Sequence, residues 1–213
     1  MTLSDRTPSE SAALRADGAS LVDLREPAAF AEGHPPGAIN VPFDDRHLAE
    51  RIANVVGGTP RLVLFAADPT QPEAAASQLA DGGLEVAGVA GGTPAEWADA
   101  GSPWLSLGAL ETGDLEDDPA RRQFHVLDVR EPMEWAVGHV PGAQLIALGE
   151  VHARLAEVPA DRDVAVICEA GVRSSSAASL LQAAGISRVF NVVDGTGGWR
   201  AAGRRLISTD VTE

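Results

Sequence analysis

The chain has 213 residues and a formal net charge of −15, which argues against nucleic acid or an anionic membrane as a partner. All 16 basic residues are Arg, so Schiff-base chemistry and a Walker A phosphate loop are excluded, and the absence of Tyr removes any phenolic acid. One cysteine cannot form an internal disulfide, which suits a reducing compartment and leaves no second thiol to resolve an intermediate.

In chain order, Pro8 to Ala16 reads as a short helix with Thr7 or Ser9 as cap and Leu14 facing inward. Ser20 to Leu24 is strand-like, and Ala28 to Glu32 makes one helical turn before the turn-rich Gly33-His-Pro-Pro-Gly37. Ala38 to Val41 is a further strand, His47 to Val56 a helix and Arg61 to Ala66 a strand. Pro72 to Ala80 is helical, Leu84 to Val89 a strand, and Gly91 leads on to Trp97. No apolar run reaches the about 18 residues of a membrane span, and the first residues lack a basic-then-apolar leader. Neither membrane insertion nor secretion is expected, and the expected location is the cytoplasm.

The same order then recurs. Val126-Leu-Asp-Val-Arg130-Glu-Pro and Gly138-His-Val-Pro-Gly142-Ala repeat Leu21-Val-Asp-Leu-Arg25-Glu-Pro and Gly33-His-Pro-Pro-Gly37-Ala at a constant offset of 105. Ala178-Ser-Leu-Leu and Trp199 match Ala76-Ser-Gln-Leu and Trp97 at an offset of 102. Two copies of about 100 residues predict tandem domains, because a solenoid needs at least three repeats. The boundaries read as 1–101 for the first domain, 102–122 for a Gly/Pro-rich acidic linker with a docked turn near Trp104 to Leu110, and 123–213 for the second. Short strands alternating with helices predict α/β domains, each a mostly parallel sheet covered on both faces.

Cys168 closes the apolar run Val164 to Ile167. Beyond Arg173, Ala177, Leu180, Leu181 and Ala184 recur at helical spacing, and Gly185 stands where the helix ends. A cysteine between a strand and a helix amino terminus meets loop N–H groups, a helix dipole and here Arg173, all of which favour the thiolate. Free cysteines are commonly inert packing groups, yet a packing cysteine has no need of Gly171 and Arg173 close behind it. Glu169 opposes the thiolate if it points inward, and is expected to face solvent. At the later offset Cys168 falls on Ala66, Gly171 on Pro69 and Arg173 on Gln71. The first copy therefore reads as a scaffold without catalysis. Asp128 with Arg130, and Asp23 with Arg25, occur in both copies and read as ion pairs that order the next turn. His139 and His34 read as structural hydrogen-bonding groups, and no Cys/His cluster suggests a metal.

These motifs resemble the rhodanese family of sulfurtransferases: Asp128-Val-Arg-Glu-Pro132, Gly138-His-Val-Pro-Gly-Ala143, Cys168-Glu-Ala-Gly-Val-Arg-Ser174 and Asp194-Gly-Thr-Gly-Gly-Trp199. The resemblance implies two tandem rhodanese-like domains, each a parallel five-stranded sheet flanked by helices, with the first inactive. It implies that Cys168 carries sulfur as a persulfide inside a substrate-binding cradle of Glu169, Ala170, Gly171, Val172, Arg173 and Ser174, with Ser174 as a candidate helix cap. The implied activity moves sulfur from a small donor such as thiosulfate to a thiophilic acceptor, cyanide or a thiol. A low-turnover persulfide carrier or sensor serving a protein partner is the alternative. Neither cofactor nor metal is implied. Asp194 departs from the family, which often has Gly there, so that turn is expected to differ.

Overall fold

The structure is a computed structural model that describes residues 3–44, 46–58, 61–116 and 124–208. It divides into two compact units, Met1–Ser106 and Leu107–Glu213. In the first, β1 (Asp5–Arg6), α1 (Pro8–Ala16), β2 (Ser20–Asp23), α2 (Pro27–Glu32) and β3 (Ala38–Asn40) precede α3 (Leu48–Val56), β4 (Leu62–Phe65), α4 (Gln71–Asp81), β5 (Val86–Ala90) and α5 (Pro94–Asp99). In the second, β6 (Gly108–Leu110), α6 (Thr112–Glu116), β7 (His125–Asp128), α7 (Pro132–Val137) and β8 (Gln144–Leu145) precede α8 (Leu148–Val151), β9 (Val164–Ile167), α9 (Val172–Ala183), β10 (Val189–Val192) and α10 (Gly195–Ala201). The strand orders are β1-β5-β4-β2-β3 and β6-β10-β9-β7-β8, the same topology twice, with every strand pair parallel. This is the α/β architecture expected, two five-stranded sheets flanked by helices.

Helices on both faces explain why all four residues of β9, and all four of β4, are buried: a central parallel strand has no wet side. In the second unit Ala165 and Ile167 of β9 pack with Val140, Val192 and Trp199. α1 begins as a capping box, in which Thr7 Oγ1 accepts from the Glu10 N–H at 3.3 Å while the Glu10 carboxylate accepts from the Thr7 N–H at 2.8 Å. Thr93 and Glu96 start α5 in the same way.

Two expectations change, and one strand was not anticipated. The stretch 102–122 carries structure of its own: β6 pairs with β10 in register and α6 follows it, while residues 117–122 lie outside the described residues. Gly108-Ala-Leu110 lacks a β-branched run, so only its partner strand reveals it. Edge strand β1 went unread for the same reason. Leu14 is half-buried, and the fully buried residue of α1 is Ser11.

The ion pairs expected in both copies are present. Asp128 takes Arg130 at 2.6 Å with both side chains buried, and Asp23 takes Arg25 at 2.6 Å. Arg130 also donates to the Gly138 carbonyl at 2.9 Å, which fixes the turn after α7. His139 Nδ1 meets the Trp135 carbonyl at 3.0 Å and its ring stacks on Trp135. His34 does the same against Phe30.

Removing one partner of a buried pair leaves the other charge stranded. Arg130→Ala should destabilise the second unit by about 3–5 kcal/mol in urea denaturation. A loss under about 1 kcal/mol would show that water reaches Asp128.

Candidate functional site

The site forms where β9 ends. Cys168 directly follows Ile167, is only 2% exposed, and places Sγ 3.2 Å from Ser174 Oγ. Gly171 adopts φ 83° and is the N-cap of α9, a left-handed conformation that a side chain would oppose. A Cβ there would also strike the Val193 carbonyl. The loop is therefore a tight arch from a buried strand into a helix amino terminus.

The carbonyls of this arch are tied from outside. The Cys168 carbonyl accepts from the Thr196 N–H at 2.8 Å and the Glu169 carbonyl from the Gly197 N–H at 3.0 Å. The Gly171 carbonyl accepts from Asn191 Nδ2 at 3.0 Å and from the Ser175 N–H at 3.2 Å. Among the described residues, the N–H groups of residues 169–174 donate to no backbone carbonyl, as the open first turn of a helix requires. Gly195, at φ 58°, lies against the Cys168 and Glu169 carbonyls too closely for a Cβ. Asp194, the departure from the family pattern, braces this turn by accepting from the Thr112 N–H at 2.9 Å and Oγ1 at 2.7 Å.

Each predicted residue has a definite place. Glu169 turns toward α10, where it accepts from Thr196 Oγ1 at 2.8 Å and pairs with Arg200. Burial pushes its carboxyl up, but the Thr196 hydroxyl and Arg200 outweigh that and hold it below its ordinary range. Ala170 and Val172 are exposed. Ser174 is not the cap, because Gly171 holds that position. Its hydroxyl lies in the first turn of α9, turned to the thiol. Arg173 forms a two-pronged pair with Glu134 at 2.6 and 2.7 Å. The Arg173 hydrogen bonds hold the Glu134 carboxyl at about 2, and in return Glu134 raises Arg173.

Glu134, Asn191 and Thr196 were not picked out as site residues. The repeat carried a signal for them, because their counterparts are Ala29, Val89 and Pro94, none able to play the same role. The first unit has a hollow of about 240 Å³ at its matching loop, lined by Ala66, Pro69 and Pro72 together with the carboxylates Asp5 and Glu73.

The family model described as Rhodanese-like domain matches residues 7–99 and 111–202. YrkF of Bacillus subtilis is 36% identical over 97 residues, covering 46% of this chain and 50% of that protein. A protein of Allochromatium vinosum named Sulfurtransferase is 33% identical over 85 residues, covering 40% of this chain and 79% of its own length. Thiosulfate sulfurtransferase GlpE of Pseudoalteromonas translucida is 29% identical over 77 residues, with coverages of 36% and 73%. The chain spans half or less of the length of the first curated relatives it matches.

The Glu134 carboxyl is depressed from 4.5 to about 2, so its stabilising effect is complete above pH 4.5 and disappears as pH falls through about 2. Glu134→Gln lacks that contribution at every pH. Unfolding midpoints of the two proteins should therefore converge as pH falls across that window, whereas a constant gap would mean that the pair does not stabilise the fold.

Proposed function

We propose a sulfur-transfer function from one premise: this chain belongs to the rhodanese family and carries two rhodanese-like domains. The Cys168 sulfur attacks the outer sulfur of a donor such as thiosulfate. The donor's S–S bond breaks, sulfite leaves with the electron pair, and Cys168 holds the transferred sulfur as Cys-S-S⁻. An acceptor nucleophile, cyanide in the test tube or a thiol in the cell, then takes the terminal sulfur and returns Cys168 as the thiolate. This is double displacement with a covalent intermediate and no external redox partner.

The observation that carries this reading is the arrangement of the arch. With the carbonyls of Cys168, Glu169 and Gly171 bound from outside, the side left for a ligand is the amide side. Amides converging on one point, with the helix dipole behind them, stabilise an anion. The Cys168 sulfur, with Ser174 Oγ beside it, is the group on which such an anion forms. Arg173, steadied by Glu134, serves the sulfonate end of the donor. Thiosulfate as donor is supported by the similarity to the thiosulfate sulfurtransferase of Pseudoalteromonas translucida.

The first domain, on this reading, is not catalytic. Ala66 offers no nucleophile, Pro69 and Pro72 lack N–H donors, and Asp5 and Glu73 beside its hollow repel an anion. A lone working thiol suits the reducing cytoplasm. No helix among the described residues is long and apolar enough to cross a membrane.

Cys168→Ser should abolish thiosulfate:cyanide turnover while leaving the far-ultraviolet circular dichroism unchanged, and an active mutant would defeat the assignment. Arg173→Ala should lower kcat/KM for thiosulfate by about 10- to 100-fold, the worth of a charge-assisted contact of about 1.5–3 kcal/mol. Unchanged kcat/KM with lowered stability would make Arg173 a structural residue only.

A further inference from the structure

The Cys168 unit carries a second set of residues that the other copy lacks. Among the described residues, five large apolar side chains are exposed, and four of them belong to this unit: Met133 (84%), Val137 (87%), Val172 (39%) and Val193 (42%). Two contacts tie the segments that carry them to the loop between Cys168 and α9. Val172 follows Gly171, and Gly171 lies directly against the Val193 carbonyl. Glu134, between Met133 and Val137 on α7, grips Arg173, the neighbour of Val172. At about 100° per residue, Met133 and Val137 share one face of α7, roughly 60–100° round from Glu134.

The repeat serves as an internal control. Met133 and Val137 align with Ala28 and Glu32, and Val172 and Val193 align with Thr70 and Gly91. The same topology thus forms in the first unit with none of the four, so folding does not demand them. Apolar side chains kept in water forgo about 25 cal/mol for each Å² that could be buried, and their clustering marks a surface for a partner. Met133 is the only methionine after Met1, and a flexible thioether adapts to the irregular surface of a partner. Thiosulfate and cyanide bury no apolar area, so neither has any use for this rim.

We propose that Met133, Val137, Val172 and Val193 form a docking rim for the cysteine-bearing segment of a basic acceptor protein. The proposal rests on Cys168 sulfur transfer and identifies the acceptor's chemical class. Charge outside the arch sets the sign of the partner: Glu131, next to Pro132 and Met133, is exposed on a chain of net charge −15. Arg or Lys residues next to the incoming cysteine are therefore attracted and carboxylates repelled. Because Cys168 is nearly buried, the acceptor thiol arrives on a narrow protruding segment. Its thiolate attacks the terminal sulfur of Cys-S-S⁻. A new S–S bond forms on the acceptor, the bond to Cys168 breaks, and Cys168 leaves with the electron pair as thiolate.

The test measures binding of three fluorescent peptides, each with a central cysteine, to the full unloaded chain. One peptide is flanked by leucine and arginine, one by serine and arginine, and one by leucine and aspartate. The first should bind about tenfold more tightly than either of the others. Met133→Ala with Val137→Ser should erase the leucine-over-serine preference while leaving thiosulfate:cyanide turnover unchanged. Equal binding of all three peptides to the wild-type chain, or a variant that keeps the leucine preference, overturns the proposal. A dimer that the double substitution dissolves also overturns it, by giving the rim to a second copy. Binding is read without sulfur on Cys168, so a protein that discriminates the peptides but never takes up sulfur would strike the transfer chemistry and leave the rim standing.

Discussion

The site depends on three carbonyls being held from behind. Left free, the Cys168, Glu169 and Gly171 carbonyls could rotate into the arch and cancel the field of its amides. Hydrogen bonds from Thr196, Gly197 and Asn191 prevent that, and each unmade bond of this kind costs about 1–3 kcal/mol in a buried setting. The tethers come from β10 and the start of α10, so the arch takes its shape from a neighbouring strand as much as from its own sequence. Gly195 permits the close approach and Asp194 anchors the turn to Thr112. The thiol is thus presented by a layered support: α6 braces the β10–α10 turn, the turn braces the arch, and the arch surrounds the sulfur.

The two copies separate what both sheets share from what the Cys168 site adds. Both retain the Asp–Arg pair, the histidine stacked on an aromatic ring, and a tryptophan whose indole N–H donates to a backbone carbonyl. These groups close turns and fill cores in both copies. Cys168, Arg173, Glu134, Asn191 and Thr196 occur in one copy only. They form a connected set, in which Glu134 holds Arg173, Asn191 and Thr196 hold the arch, and the arch holds the cysteine.

Much of this was legible in the sequence because the signals were local. The apolar β-branched run before Cys168, the helical spacing after Arg173 and the 105-residue repeat all arise within short windows. What escaped was long-range. β6 is three residues of weak strand propensity completed only by pairing with β10, and the run around it looked like a linker because Gly, Pro and acidic residues dominate it. Ser174 has the composition of a cap, but Gly171 in a left-handed conformation starts the helix and frees the hydroxyl for the thiol. Glu134 reaches Arg173 across 39 positions, a distance that no periodicity bridges. Only comparison of one copy with the other pointed there.

The central claim is that the amide side of the arch holds a sulfur anion on Cys168. A crystal structure of the protein soaked in thiosulfate tests it most directly. The account predicts one additional atom bonded to Cys168 Sγ, within hydrogen-bonding reach of N–H groups between Ala170 and Ser174. An unmodified Sγ after complete soaking, or an added sulfur directed away from those amides, would contradict it.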